Sequence, residues 1–302
     1  MSHPGIDIVK TLLADAGLLT GPIDQQRAAM DAASVGAPPP VGVSVETAEL
    51  GGRPAEWLAP DGVGRDAAVL YLHGGGYCSG SLDSHRDLAA RIGIASGCAV
   101  VTLAYRLGPE DPFPAAVDDA VAAYRQLVAD GIPPERLAVA GDSAGGGLTV
   151  ALLLALRARG IPQPAAAVCL SPWVDLTQSA PSYQGLVDSD PMLSREALDD
   201  LADAYLAGTD PRAELASPLF AADLSGLAPL RIEVGANEVL LDDATRLAER
   251  ATAAGNQVTL TVWPEMIHVF QAFPGVILPE TDLSVAGIGE FVAGRLSRAQ
   301  SR

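Results

Sequence analysis

The chain has 302 residues, of which 49% are hydrophobic, and its 37 acidic and 19 basic residues give a formal net charge of −18. A charge of this sign and size repels nucleic acid and anionic membrane surfaces, so we expect neither as a partner. The length and the hydrophobic content suit one large α/β domain with an accessory part, or two domains.

The cysteines and the N-terminal segment give information about the cellular location of the protein. Cys78, Cys98 and Cys169 are odd in number and widely spaced, which predicts reduced thiols and no metal site. The N-terminal segment lacks a basic region followed by an apolar one, and no apolar run approaches the ~18 residues of a membrane span. We therefore expect a cytoplasmic protein.

Two amphipathic segments precede the first predicted strand. Apolar residues at helical spacing predict helices over residues 6–16 and 23–33. We assign residues 1–40 to an N-terminal helical arm, which either packs on the core or covers a pocket as part of a cap. A glycine turn at residues 51 and 52 then joins two alternating segments, which predicts an antiparallel hairpin of residues 41–47 and 53–59.

From residue 67 onward, short apolar segments alternate with helical ones. The predicted strands are 67–72, 98–104, 137–140, 165–170, 230–234 and 258–262, and the predicted helices are 84–96, 115–129, 148–157, 242–254 and 283–296. This alternation predicts a mostly parallel sheet covered by helices on both faces, with function at the carboxyl ends of its strands. Residues 177–227 interrupt the alternation with a short helix at 194–207, and we predict a cap insertion there. Residues 41–302 then form a single α/β domain.

A glycine-flanked serine joins a predicted strand to a predicted helix. The segment Gly141–Gly145 reads Gly-Asp-Ser-Ala-Gly, and G-x-S-x-G at such a junction is typical of a strained turn that exposes the hydroxyl of a nucleophilic serine, here Ser143. The alternative is a glycine-rich turn that packs tightly or binds phosphate. A nucleophilic serine needs a base, an orienting acid and oxyanion donors. Their presence elsewhere in the chain would favour the nucleophile over the glycine-rich turn.

His268 is the best-placed base. It lies in the loop between the last predicted strand and the final helix, whereas His3, His73 and His85 lie in the arm, in a glycine run and at the start of a helix. The loop after the last parallel strand ends at the same sheet edge as the serine turn, so we predict that His268 meets Ser143 there.

The acid has three candidates in the loop after the predicted strand 230–234. Glu238 lies just past this strand, and its side chain could reach an imidazole. Asp242 and Asp243 instead suit the cap and first turn of the following helix, where the helix dipole favours carboxylates. We favour Glu238, with Asp242 as the second choice.

Three consecutive glycines close an early strand, in the segment His73–Tyr77. Glycines allow backbone N–H groups to approach a developing oxyanion, and the residue after a nucleophilic serine adds another donor. We expect the N–H groups of Gly74, Gly75 and Ala144 to form an oxyanion hole.

These stretches resemble the hormone-sensitive-lipase-like branch of the α/β-hydrolases, the bacterial family IV esterases. The likeness extends over roughly residues 40–298 and includes Tyr105–Glu110 with Pro112–Ala115, Ser171–Trp173 with Asp175, and Asp190–Met192. The resemblance implies an α/β-hydrolase fold with a helical cap, and no metal or organic cofactor. It implies Ser143 as nucleophile, Glu238 as acid, where many members carry aspartate, and His268 as base. It also implies a possible homodimer through the edge strand.

The resemblance implies a serine carboxylesterase that acts on small esters with short to medium acyl chains. The chain is most similar to esterases of the acetyl hydrolase and monoterpene ε-lactone hydrolase kinds, so a lactonase or a deacetylase of small molecules with the same triad is the alternative. A non-catalytic receptor is a remote third possibility, because the gibberellin receptors of plants resemble this family but have lost the catalytic histidine. His268 argues against it.

Overall fold

An eight-stranded sheet forms the centre of the molecule. The computed structural model describes residues 3–16, 21–32 and 40–298. The strands are β1 (Val43–Leu50), β2 (Arg53–Pro60), β3 (Ala68–Leu72), β4 (Ala99–Leu103), β5 (Leu137–Asp142), β6 (Ala166–Leu170), β7 (Leu230–Gly235) and β8 (Val258–Trp263). Each predicted strand is present, and no strand end differs from the prediction by more than three residues.

The sheet is mostly parallel, in the order β1-β2-β4-β3-β5-β6-β7-β8. Only β1 with β2 and β2 with β4 pair antiparallel, so the predicted hairpin forms one edge of the sheet. Every residue of β3, β4, β5 and β6 is buried, because helices cover both faces of the sheet. The predicted fold class is confirmed, and the carboxyl ends of β5 to β8 share one edge.

The helices follow the predicted order. They are α1 (Pro4–Ala16), α2 (Ile23–Ala32), α3 (Leu82–Ser96), α4 (Ala115–Ala129), α5 (Ala144–Ala158), α6 (Ser182–Gly185), α7 (Arg195–Leu206), α8 (Leu241–Ala253) and α9 (Pro279–Arg298). The bounds of α4 match the prediction. Residue 33, at which the second arm helix was predicted to end, lies outside the described residues. In the described part of the chain, no helix is long and apolar enough to cross a membrane.

Helix α5 begins four residues earlier than predicted. Glycine is a poor helix former, and residues 145–147 are all glycine, which favoured a start at Leu148. These glycines allow the first turn of α5 to touch the neighbouring backbone. A Cβ at Gly145 would lie 2.0 Å from the Leu72 carbonyl oxygen, and one at Gly147 would lie 2.1 Å from that of Trp173. The helix therefore starts directly after Ser143.

The segment between β6 and β7 holds α6 and α7 and packs against the glycine run. Ser194 caps α7, since its side chain accepts a hydrogen bond from the Ala197 N–H at 3.2 Å. The ring of Tyr205 in α7 stacks on that of Tyr77, with centroids 4.0 Å apart. This insertion is thereby attached to the loop that follows β3.

Candidate active site

Ser143 occupies the sharp turn between β5 and α5. Its backbone has φ 53° and ψ −122°, a conformation that L residues rarely adopt and that stores strain. The turn is fixed at both sides, because the Ser143 N–H donates to the Leu170 carbonyl at 2.8 Å and the Ser143 carbonyl accepts from Gly147 at 3.0 Å. The observed turn has the geometry of a nucleophile elbow.

His268 and Glu238 form a buried pair at the same sheet edge. His268 lies in the loop after β8, Glu238 lies in the loop after β7, and His268 Nδ1 is 2.7 Å from Glu238 Oε2. Burial by itself lowers the pKa of His268, but the hydrogen bond and the charge of Glu238 outweigh it, so the pKa lies above its ordinary value. Since Nδ1 donates to the carboxylate, Nε2 is the nitrogen left to accept a proton.

The other two acid candidates have hydrogen-bond partners other than this histidine. Asp242 Oδ2 accepts from the Ser182 N–H at 2.9 Å. Asp243 is fully buried and accepts from the Val174 N–H at 2.9 Å and from the Tyr183 hydroxyl at 2.8 Å. Burial raises the pKa of Asp243 to about 8. Both carboxyl groups attach the insertion to α8.

Asp190 joins the insertion to the acid loop. Its Oδ2 accepts from the Val239 N–H at 2.9 Å, and its Oδ1 accepts from Met192 at 2.9 Å and from Leu193 at 3.0 Å. The sequence marks Asp190 only by its place in a motif, because nothing local shows that its partner is the residue after Glu238.

The glycine loop differs from expectation in one donor. The Gly74 N–H donates to Asp142 Oδ1 at 3.1 Å and lies 3.2 Å from Nε2 of His85, so it already has internal acceptors. The sequence predicted Gly74 as an oxyanion donor, and this internal hydrogen bond is an observation against that role. Among the residues that the structure describes, the N–H groups of Gly75, Gly76 and Ala144 have no acceptor. The sequence did not single out Gly76, because three adjacent glycines do not reveal which N–H lacks an internal acceptor.

The sheet order and the strained serine turn define the class of protein as an α/β-hydrolase. The sequence profile of the alpha/beta hydrolase fold family matches residues 69–272. The chain is 46% identical over 301 residues to an acetyl-hydrolase of Streptomyces hygroscopicus, with 97% of each chain covered. It is 35% identical over 228 residues to the carboxylesterase NlhH of Mycobacterium tuberculosis, with 73% of this chain and 71% of that one covered.

A solved esterase of the bacterial hormone-sensitive lipase family has the same architecture. It superposes with a TM-score of 0.93 at 45% identity, covering 98% of this chain and 99% of that one. The chain therefore belongs to the hormone-sensitive-lipase-like branch of the α/β-hydrolase family.

Proposed function

We propose that the protein is a serine carboxylesterase that works through an acyl-enzyme. The observation that carries this proposal is the 2.7 Å hydrogen bond between His268 and Glu238 at the sheet edge that presents Ser143. In the proposed reaction, Ser143 Oγ attacks the ester carbonyl while His268 Nε2 takes its proton, and Glu238 stabilises the imidazolium. His268 returns the proton to the departing alcohol, and water then releases the acid by the same steps.

The oxyanion of the tetrahedral intermediate is proposed to bind the N–H groups of Gly75, Gly76 and Ala144. Their lack of an internal acceptor supports this assignment. Removing one such donor from a serine hydrolase costs on the order of 10²–10³ in rate. Gly74 has a different task in this proposal, since its N–H holds the loop on Asp142.

We propose that the N-terminal arm and the insertion together form a cap over the site. Arg27 of α2 supports the arm's part in it. Its Nε donates to the Cys78 carbonyl at 2.7 Å, just beyond the glycine run, and its other nitrogens donate to the Glu110 carboxylate at 2.8 and 2.7 Å. The stacking of Tyr205 on Tyr77 supports the part of the insertion.

The proposed substrates are small esters with short to medium acyl chains. Tyr77, Trp173 and Tyr205 are buried, and Tyr77 and Trp173 lie against α5 at Gly147. We propose that these bulky rings line the acyl pocket and limit the length of the acyl chain. Deacetylation of a small molecule is the second candidate, favoured by the similarity to an acetyl-hydrolase over 97% of the chain. A lactonase would use the same residues.

We further propose a cytoplasmic location and a homodimer formed through the edge strand. In the described part of the chain, Cys78, Cys98 and Cys169 are buried and unpaired, and burial raises the pKa of each thiol to about 12. Unreactive free thiols support the proposed cytoplasmic location. The edge strand β8 exposes Leu260 and Val262, which supports the possible homodimer through that edge.

Hydrolysis of p-nitrophenyl esters from acetyl to palmitoyl tests the proposal. We expect the highest kcat/KM with short chains, and a fall in kcat of about 10⁴- to 10⁶-fold for Ser143→Ala with little change in KM. Acetylated sugars and small lactones, followed by acid release, compare the deacetylase and lactonase candidates. If the wild type hydrolyses none of these substrates faster than Ser143→Ala does, the result would favour the hypothesis of a non-catalytic receptor and overturn the proposal.

A further inference from the structure

The second carboxylate oxygen of Glu238 has its own set of donors. While Oε2 faces His268, Oε1 accepts from the Gly235 N–H at 2.6 Å and from the Ser171 hydroxyl at 2.7 Å. Glu238 and Ser171 are both 0% exposed, so protein donors must replace the water that a carboxylate otherwise binds. Of these donors, Ser171 is the one that comes from a different strand end.

The Ser171 hydroxyl also reaches the histidine loop. Its oxygen accepts from the N–H of Val269, the residue after His268, at 3.1 Å. Its backbone N–H donates to the Glu233 carbonyl in β7 at 2.7 Å, which fixes the residue at the end of β6. One hydroxyl thus links the loop that carries the acid to the loop that carries the base.

The backbone conformation of Ser171 indicates that the hydroxyl, and not the shape of the turn, is the reason for a serine at this position. Its φ is 44°, in the left-handed region where glycine is the least strained residue. A position selected for conformation alone would favour glycine. A serine here supplies a donor to Glu238 and an acceptor for Val269 that glycine lacks.

We infer that Ser171 is a positioning residue that acts through Glu238, an inference that rests on the proposed esterase function. Its hydroxyl prevents the Glu238 carboxylate from rotating and keeps Oε2 in line with His268 Nδ1. Glutamate has one more rotatable bond than the aspartate found in many related enzymes, so its carboxylate needs this second point of attachment. Alignment of Nδ1 in turn directs Nε2 toward Ser143.

The test compares kcat and KM for p-nitrophenyl butyrate in single and double variants. Ser171→Gly removes the hydroxyl and relieves the backbone, and Ser171→Ala removes the hydroxyl alone. We expect both to lower kcat about 10- to 100-fold and to leave KM within about 2-fold. In the Glu238→Ala background, the same substitutions should change kcat by less than about 3-fold, because the group through which Ser171 acts is gone.

Ser96→Ala is the matched control. Ser96 is a buried serine of α3 whose hydroxyl donates to the Ile92 carbonyl at 2.8 Å, and its loss should leave kcat unchanged. Should Ser171→Gly fail to fold in a thermal melt, Ser171→Ala answers the same question.

Three results would overturn the inference: wild-type kcat in Ser171→Gly, a slow alanine variant beside a fast glycine variant, or equal losses with and without Glu238. The proposed function fails separately, if the wild type is no faster than Ser143→Ala.

Discussion

The Asp142 carboxylate hydrogen-bonds to the glycine loop, and its removal should lower both kcat and the free energy of unfolding. The Asp142 side chain accepts from the Tyr71 hydroxyl at 2.7 Å and from the Gly74 N–H at 3.1 Å. Asp142 is 3% exposed, so bulk water does not replace these bonds. The change to test is Asp142→Ala.

The substitution removes the carboxylate that accepts from the Tyr71 hydroxyl and from the Gly74 N–H, and leaves Gly74 only Nε2 of His85 at 3.2 Å. At about 1–3 kcal/mol for each donor that loses its acceptor, the free energy of unfolding should fall by about 2–6 kcal/mol, and a hydrogen bond from Gly74 to His85 would bring the loss toward the lower limit. In a chain of this length that corresponds to a melting temperature lower by about 3–10 °C. A water molecule that enters the space left by the carboxylate would bring the loss toward the lower limit. Because Gly74 precedes the proposed oxyanion donors, we also expect kcat to fall by at least about 10-fold.

Differential scanning calorimetry and ester hydrolysis on the same preparation measure both effects. Asp142→Asn is the matched control, since its amide oxygen can still accept from Tyr71 and Gly74. We expect this variant to lose less than half of what Asp142→Ala loses. A melting temperature within 2 °C of the wild type, with full kcat in Asp142→Ala, would refute the role of this carboxylate.

Three further predictions concern buried groups and close contacts. Burial lowers the pKa of His73 to about 4, so between pH 6.5 and 4 the unfolded chain binds a proton at this residue and the folded chain does not. The wild type should therefore lose stability as the pH falls through this range, and the free energy of urea unfolding should vary by about 3 kcal/mol less in His73→Gln. Burial raises the pKa of Asp243 to about 8, so ionisation of this carboxyl destabilises the folded state as the pH rises from 4 to 8. The melting temperature of Asp243→Asn, relative to that of the wild type, should increase over this range, and a constant difference between the two would contradict the prediction. Gly145→Ala places its Cβ 2.0 Å from a backbone oxygen and should abolish soluble, active protein, whereas Gly294→Ala, in open space within α9, should stabilise by about 0.5–1 kcal/mol in the same expression and melting assays.

Most of the fold could be predicted because its signals are local. The apolar strands and the helical spacing of α4 depend on neighbours within one element, and the structure reproduces them closely. The start of α5 could not be predicted, because the reason for its glycines lies in the carbonyls of Leu72 and Trp173, which the chain brings there from other elements.

The candidate site divides in the same way. Position along the chain was enough to select Ser143, Glu238 and His268, because a parallel sheet brings the loops after its strands to one edge. The preference for Glu238 over Asp242 rested on position and helix capping, and it stays a prediction; the structure shows Glu238 in contact with His268 and Asp242 in contact with Ser182.

The sequence by itself determined the fold class, the serine turn and the residues that the sheet edge would present, since each depends on spacing within the chain. Only the tertiary structure decided that the N–H of Gly74 turns inward to Asp142 and that the hydroxyl of Ser171 joins Glu238 to the loop of His268. Such hydrogen bonds depend on directions and on distances of about 3 Å between residues far apart in the chain. Spacing within the sequence contains neither.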